Sequence, residues 1–369
     1  MLDVLLYTFF GVTGILLIYY FFVFSRFAFS KTLKSKNNAL PPVSVIICAK
    51  NEAENLKKFL PNIINQEYPN FEIVLINDAS YDESLDLMEA FQKKHSNIKI
   101  VNVENNEAFW GSKKYALTLG IKASSYDYLL FTDADCMPKS NQWIKEMASQ
   151  FSNTKSFILG YGAYQKKKFS LLNALIRFET LQTAVQYFSY AKIGNPYMGV
   201  GRNLAYKKQD FFKINGFMNH MKIRSGDDDL FINEAATGKQ TVIVDSEKSH
   251  TISTPSKSFK EWFQQKRRHI STANYYKTKD QFFLGLYYIS QFMFWILASI
   301  LLGLLFQWEI VLIVLSSKLL VQYLVFGFSA KKLKEQDLTF ALPFLEIFLI
   351  IFQLVIFITN SVSKPNHWK

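Results

Sequence analysis

The chain has 369 residues, 49% of them hydrophobic, 16% aromatic and 20% charged, with a formal net charge of +12. That is too apolar for a disordered chain and long enough for one large domain or two small ones. Two cysteines, Cys48 and Cys136, make no disulfide framework, which excludes a stapled secreted scaffold and suits a cytoplasmic domain.

The apolar residues are unevenly spread. Residues 4–24 carry no charge. A helix of about 20 residues rises about 30 Å, enough to span a bilayer's hydrocarbon core. Similar runs follow at roughly 282–308, at 310–330 with Lys318 inside, and at 338–360 with Glu346 inside. Four transmembrane helices are expected, one first and three last. The first reads as an anchor: its apolar run is too long for a signal peptide, with no basic stretch before it and no small-residue cleavage site after it.

The positive charge has a location. Arg26, Lys31, Lys34 and Lys36 follow the first span, and Lys266, Arg267, Arg268, Lys277 and Lys279 precede the second. Lys331, Lys332 and Lys334 lie between the third and fourth. Positive loops stay in the cytoplasm, so the central part should face inward and both termini outward. The basic excess reads as contact with anionic membrane lipids, and not with nucleic acid, because it flanks the spans.

After a basic linker ending in Pro41-Pro42 the pattern changes. Residues 43–49 form a continuous apolar run with β-branched members, a buried strand. Helical spacing follows at 53–66, strands at 71–77 and 98–103 flank a helix at 82–95, and a helix at 112–123 precedes a strand at 126–132. Strands alternating with helices predict a parallel sheet covered on both faces. Such sheets bind ligands beyond the carboxyl ends of their strands. Asn51 and Glu52 follow the first strand, Asp78 the second, and Asp133 and Asp135 the fourth. Any one could be a turn former or helix cap, but their convergence on one edge favours a site. There is no G-x-G-x-x-G and no Walker lysine loop, so neither a dinucleotide nor a P-loop site is indicated.

Asp133 and Asp135 are two residues apart, and strand alternation would point both the same way. Like charges so placed repel, which leaves a shared proton or a bound cation as the explanation. Paired oxygens suit Mg²⁺ or Mn²⁺, which commonly take one or two carboxylates plus substrate phosphates. A metal accounts for the pair better. One charge pair at about 4 Å and an effective dielectric near 20 is worth about 4 kcal/mol, or nearly three decades in rate if realised only in the transition state.

Further along, residues 169–190 have apolar and aromatic side chains at helical spacing, an amphipathic helix at the membrane surface or equally a core helix. Residues 195–206 contain Gly199 and Gly201, which allow close backbone approach. Three consecutive aspartates, 227–229, taken alone fit a solvated helix N-terminus. Residues 264–269, QQKRRH, fit either a phosphate-binding segment or a juxtamembrane basic cluster. None of the five histidines pairs at a metal-ligand spacing.

The ordered set "AKNE", "NDAS", "GSKKYAL", "TDADC", "GDDDLF" and "QKRRH" resembles the inverting family-2 glycosyltransferases with a GT-A fold, over roughly residues 43–270. The resemblance implies an α/β, Rossmann-like, mostly parallel catalytic domain at 43–280. A transmembrane helix at 1–26 and a linker at 27–42 would precede it, with three helices at 281–362 and a tail at 363–369 following. Asp78 would accept the uracil N3–H of a UDP-sugar, with Ala49 and Glu52 lining the base. Lys113 would lie near the nucleotide, Asp133 would contact the uridine, and Asp135 would bind the metal, Mg²⁺ or Mn²⁺. The GDD spelling resembles that of hyaluronan synthases and makes Asp228 the general base; alignment on the following leucine selects Asp227. Gln265 and Arg268 would meet the pyrophosphate, in a segment similar to Q-x-x-R-W. His269 stands where polymer-building synthases carry a tryptophan that touches the acceptor. The resemblance implies a metal-dependent enzyme of bacterial inner-membrane type. It would move a sugar from a UDP-sugar to a lipid-linked or glycan acceptor at the cytoplasmic face. A processive, exporting polysaccharide synthase is the alternative within that class, and a non-catalytic nucleotide-sugar-binding membrane subunit the alternative outside it.

Overall fold

The computed structural model describes residues 1–33, 40–104, 113–223 and 225–363. Lys34, Lys36, Gly111, Ser112 and the end of the tail lie outside them. The chain divides into two compact units. An α/β unit holds Thr32–Lys168 and Gly194–Ser256, and a helical unit holds Met1–Lys31, Phe169–Ile193 and, among the described residues, 257–363.

Among the described residues the α/β unit has ten strands: β1 (Val43–Ala49), β2 (Phe71–Asp78), β3 (Ile98–Val103), β4 (Tyr128–Phe131), β5 (Cys136–Pro138), β6 (Phe157–Leu159), β7 (Gly162–Tyr164), β8 (Leu204–Lys207), β9 (Thr241–Ile243) and β10 (Thr251–Ser253). Seven form one sheet in the order β3-β2-β1-β4-β8-β6-β9, and β5-β10-β7 form a second. The first four are parallel, as the alternating pattern predicts. β8 runs antiparallel to both β4 and β6, which makes the sheet mixed. β8 enters after a long excursion, so no local period could set its direction. Val45, Ile47, Ile73, Leu75, Leu130, Ile158 and Ala205 are at most 1% exposed in the core. Each large aliphatic side chain so buried contributes about 1.5–3 kcal/mol.

One detail of register shapes the site. β4 pairs with Val43–Ile46 of β1 and stops, while β1 runs on through Ala49. The strand expected over 126–132 therefore ends at Phe131. Asp133 and Asp135 are not strand residues; they occupy the turn before β5, where Cys136 joins the second sheet.

Among the described residues the helical unit contains four helices long and apolar enough to cross a membrane, Leu2–Ala28, Thr278–Gly303, Trp308–Leu333 and Gln336–Val362. The two charges that interrupted the apolar runs meet. Lys318 Nζ lies 2.8 Å from Glu346 Oε2, and the pair is 0% and 1% exposed. Gln291, Gln322 and Trp295 also donate to the Glu346 carboxylate, at 2.6, 2.9 and 3.0 Å. Such satisfaction is what an apolar surrounding demands of a buried ion pair.

The helix Leu171–Lys192 belongs to this unit, and its N-cap Ser170 accepts from the Asn173 N–H. Leu175, Phe178, Leu181, Val185 and Phe188 are buried, and so are Arg177, Gln182 and Ser189. With polar and apolar sides both covered, it is a core helix; the membrane-surface alternative is set aside. Arg177 is held by Glu335 and, at 2.7 Å, by Asp337.

Candidate functional site

The loops after β1 and β2 are stitched together. Asn51 N–H donates to Ser80 Oγ at 3.0 Å, and Asn51 Oδ1 accepts from Tyr81 N–H at 2.8 Å. Glu52 N–H donates to Ser84 Oγ, and Ala53 N–H to Asp82 Oδ2. Asn51 and Ala79 both take left-handed backbone, φ 55° and 49°. For alanine that conformation costs about 1–2 kcal/mol, and such strain gathers where a loop must be held in one shape. It lies directly after Asp78, which is only 4% exposed. Burial raises the Asp78 carboxyl above its ordinary range, with Lys50 and Lys113 opposing. Ala49 is 1% exposed within the core, while Glu52 is half-buried at the mouth of the next helix.

Lys113 opens the helix Lys113–Ala123 and is the centre of the site. Its Nζ lies 2.8 Å from Asp133 Oδ1 and 3.1 Å from Asp227 Oδ2. Burial works against its charge, but the two carboxylates outweigh it and hold its pKa well above the usual lysine value. Lys113, Thr132, Asp133, Gly201, Asp227 and Asp228 line one cleft, floored by Ile46, Cys48 and Phe131.

The acidic run is a helix cap, but not a solvated one. Gly226 takes φ +94°, and a Cβ there would stand 2.4 Å from Leu230 Cδ1. The turn presents Asp228 as N-cap of the helix Asp229–Ala235. Asp228 Oδ1 accepts from Asp229 N–H at 2.8 Å and Oδ2 from Gly201 N–H at 2.6 Å. Burial, followed by the charges of Asp227 and Asp229, nonetheless pushes Asp228 up to about 7. The two aspartates that alignment could not separate thus differ: Asp227 is paired with a lysine, Asp228 with backbone N–H groups alone. Lys114, 1% exposed, donates to the carbonyls of His220 at 2.8 Å and Ile223 at 3.0 Å and so anchors the approach to this turn.

Asp133, Asp135 and Cys136 have ligand atoms within 4.8 Å of one another. Burial, then Asp133, raises Asp135 above the usual carboxylate range. Burial pushes the Cys136 thiol well above its ordinary value, and the thiol approaches Asp135 Oδ1 at 3.4 Å. Two hard carboxylates beside a thiol that stays protonated fit Mg²⁺ or Mn²⁺ better than a soft metal.

Gln265, Arg268 and His269 lie on the helix Phe259–Thr272 of the helical unit. Ser258 caps it by accepting from Glu261 N–H, and Glu261 accepts in return from Lys257 N–H at 2.9 Å. Of the basic cluster, Lys266 pairs with Glu179 at 2.5 Å and Arg267 donates to Asn360 Oδ1 at 2.8 Å.

Sequence reasoning missed Ser80, Asp82 and Ser84, whose loop-fastening depends on two chain segments meeting. It also missed Tyr164 and Ser253 beside the Asp133–Cys136 turn, and from residues 195–206 it took Gly199 and Gly201 but gave Arg202 no role.

Comparison with known proteins bears on the family and the fold. The profile "Glycosyl transferase family group 2" matches residues 141–359, and "Glycosyl transferase family 2" matches residues 44–217. The chain belongs to the family-2 glycosyltransferases. It is 36% identical over 119 residues to the poly-beta-1,6-N-acetyl-D-glucosamine synthase of Staphylococcus epidermidis, covering 32% of this chain and 28% of that protein. It is 31% identical over 125 residues to the glycosyltransferase AglE of Haloferax volcanii, covering 33% and 40%. The match thus spans well under half the length of these relatives. The mannosyltransferase of Pyrobaculum calidifontis, solved with GDP-mannose and Mn²⁺, shares the fold with a TM-score of 0.60 at 16% identity, covering 94% of this chain and 99% of that one.

Proposed function

We propose that the protein is a membrane-bound, metal-dependent glycosyltransferase. It moves a sugar from a UDP-sugar to a lipid-linked or glycan acceptor at the cytoplasmic face, with inversion at the anomeric carbon. The observation that carries the reading is the cleft in which Lys113 joins Asp133 to Asp227, with Asp228 beside them. Asp78 receives the base of the nucleotide, and the stitched loops with Glu52 keep its pocket in shape. Asp135, with Asp133 next to it, holds Mg²⁺ or Mn²⁺, which neutralises charge on the donor diphosphate when bound. Asp228 accepts the proton of the acceptor hydroxyl. The acceptor oxygen bonds to the anomeric carbon as the bond from that carbon to the phosphate oxygen breaks, and the nucleoside diphosphate leaves with the electron pair. Lys113 keeps Asp227 engaged, so the proton goes to Asp228. The absence of a tryptophan at His269 favours transfer of a single sugar over polymerisation.

The test is nucleoside diphosphate release by the detergent-purified full chain with Mn²⁺ or Mg²⁺, across UDP- and GDP-sugars, with membrane lipid extract as acceptor. One donor should be turned over, and Asp135→Asn and Asp228→Asn should each abolish release. No binding of any nucleoside diphosphate would overturn the assignment of Asp78, Asp133 and Asp135. Product length separates single transfer from polymerisation.

A further inference from the structure

Beside the Asp133–Cys136 turn stands a cation that no motif announces. The Arg202 guanidinium lies 4.3 Å over the Tyr164 ring. Its Nη1 donates to Ser253 Oγ at 3.2 Å and to the Ala163 carbonyl at 3.4 Å. Ser253 Oγ contacts Cys136 Sγ at 2.9 Å, and Cys136 Sγ approaches Asp135 Oδ1 at 3.4 Å. The guanidinium is therefore tied to the Asp135 carboxylate through two intervening side chains, with Asp135 and Asp133 among the charges that act on it.

Arg202 is also fixed in place. Its carbonyl accepts from Thr132 Oγ1 at 3.1 Å and Thr251 Oγ1 at 2.9 Å, bolting it to the residue before Asp133 and to β10. Gly162 leaves it room: a Cβ there would stand 3.1 Å from the Arg202 Cβ and 3.2 Å from Nε.

What the guanidinium lacks is an anion. Among the described residues no carboxylate forms an ion pair with it, and Nε and Nη2 make no hydrogen bond. A neutralising role toward Asp133 and Asp135 would place it in direct contact with them, as Lys113 is with Asp133. Instead it is held back by Ser253 and Cys136, on the flank of a carboxylate pair that suits a divalent cation. A planar fork with unspent donors, stacked on an aromatic face beside such a pair, is built for phosphate oxygens.

We propose that Arg202 binds a phosphate group of a substrate beside the Asp133–Asp135 pair, as a second cationic side chain of the site after Lys113. The proposal rests on the transferase reading above. The phosphate belongs either to the nucleotide donor or to a phosphorylated lipid acceptor, and the two sources give different results.

The experiment compares Arg202→Gln and Arg202→Lys with the wild type, all as full-length protein in detergent. Calorimetric binding of UDP and GDP in the presence of Mn²⁺ is measured beside KM and kcat for donor and for acceptor. If the donor diphosphate is the ligand, Arg202→Gln weakens nucleoside diphosphate binding roughly 10- to 100-fold, and Arg202→Lys recovers part of the loss. If an acceptor phosphate is the ligand, nucleotide binding is unchanged and KM for the phosphorylated acceptor rises by a similar factor. Wild-type binding and wild-type KM values in both variants overturn the proposal. Should Arg202→Gln fail to fold, Arg202→Lys decides, because a point charge cannot replace the bidentate fork and wild-type constants there are equally refuting. A wild-type protein that binds neither nucleotide defeats the transferase reading itself, whatever Arg202 does.

Discussion

The carboxyl of Asp228 makes a quantitative prediction. Burial and two neighbouring aspartates push it up to about 7. A general base works only when ionised, so kcat/KM should follow the ionised fraction: roughly a tenth at pH 6, a half at pH 7 and nine-tenths at pH 8. The expected rise is about tenfold from pH 6 to 8, with a plateau above. Asp227→Asn removes the larger of the two charges that hold the pKa up, so the acid limb should move to lower pH. Stability runs the other way. The folded state holds this proton more tightly than the unfolded chain, so the contribution of Asp228 is fully present below pH ~4 and is lost as pH rises through ~7. A rise of about three pKa units sets an upper bound near 4 kcal/mol. Asp228 is partly open to solvent, so roughly 1–3 kcal/mol is expected. Asp228→Asn keeps a capping side chain. It should abolish turnover yet raise the melting temperature at pH 8, with no gain at pH 4.5. The assays are nucleoside diphosphate release and thermal unfolding across pH. A flat rate profile from pH 5.5 to 8.5, or an acid limb that Asp227→Asn leaves in place, would refute the assignment of Asp228 as base.

Three other perturbations follow from the packing. Lys113→Met leaves Asp133 and Asp227 without their shared cation; a loss of about 1–3 kcal/mol in thermal unfolding is expected, and an unchanged melting temperature would show that the bridge carries no stability. Lys318→Met strands the 1%-exposed Glu346 among apolar helices and should cost about 3–5 kcal/mol. The double variant Lys318→Met with Glu346→Leu should cost clearly less than the sum of the singles in denaturant unfolding, and strict additivity would contradict the pairing. Gly120→Ala would place a Cβ 2.2 Å from Ile76 Cδ1, where the helix crosses β2. Overpacking there should cost about 1–3 kcal/mol, and Ile76→Val should restore part of it.

The resemblance and the local patterns were strong enough to reach the family and the fold class. Continuous apolar runs with β-branched residues marked β1 to β3, helical spacing marked the helices between them, and uncharged stretches of membrane-spanning length marked the four long helices. Those signals are local: side-chain period and hydrophobic length are properties of adjacent residues. The acids at the strand ends were legible for the same reason, since chain order alone places them on one edge of a parallel sheet. Tertiary structure decided everything that depends on distant segments meeting. β4 ends at Phe131 because its partner strands and the turn into β5 fix the register, so Asp133 and Asp135 converge in a turn and not by strand alternation. The helix at 171–192 is buried on its polar side as well, which periodicity could not distinguish from a membrane-surface face. Asp227 and Asp228 carry identical side chains in adjacent positions, and only the reach of Lys113 to one and of the Gly201 N–H to the other separates them. Arg202 and Ser253 were silent in the sequence. A charged or polar residue acquires chemical meaning from the field around it, and that field comes from residues far away along the chain.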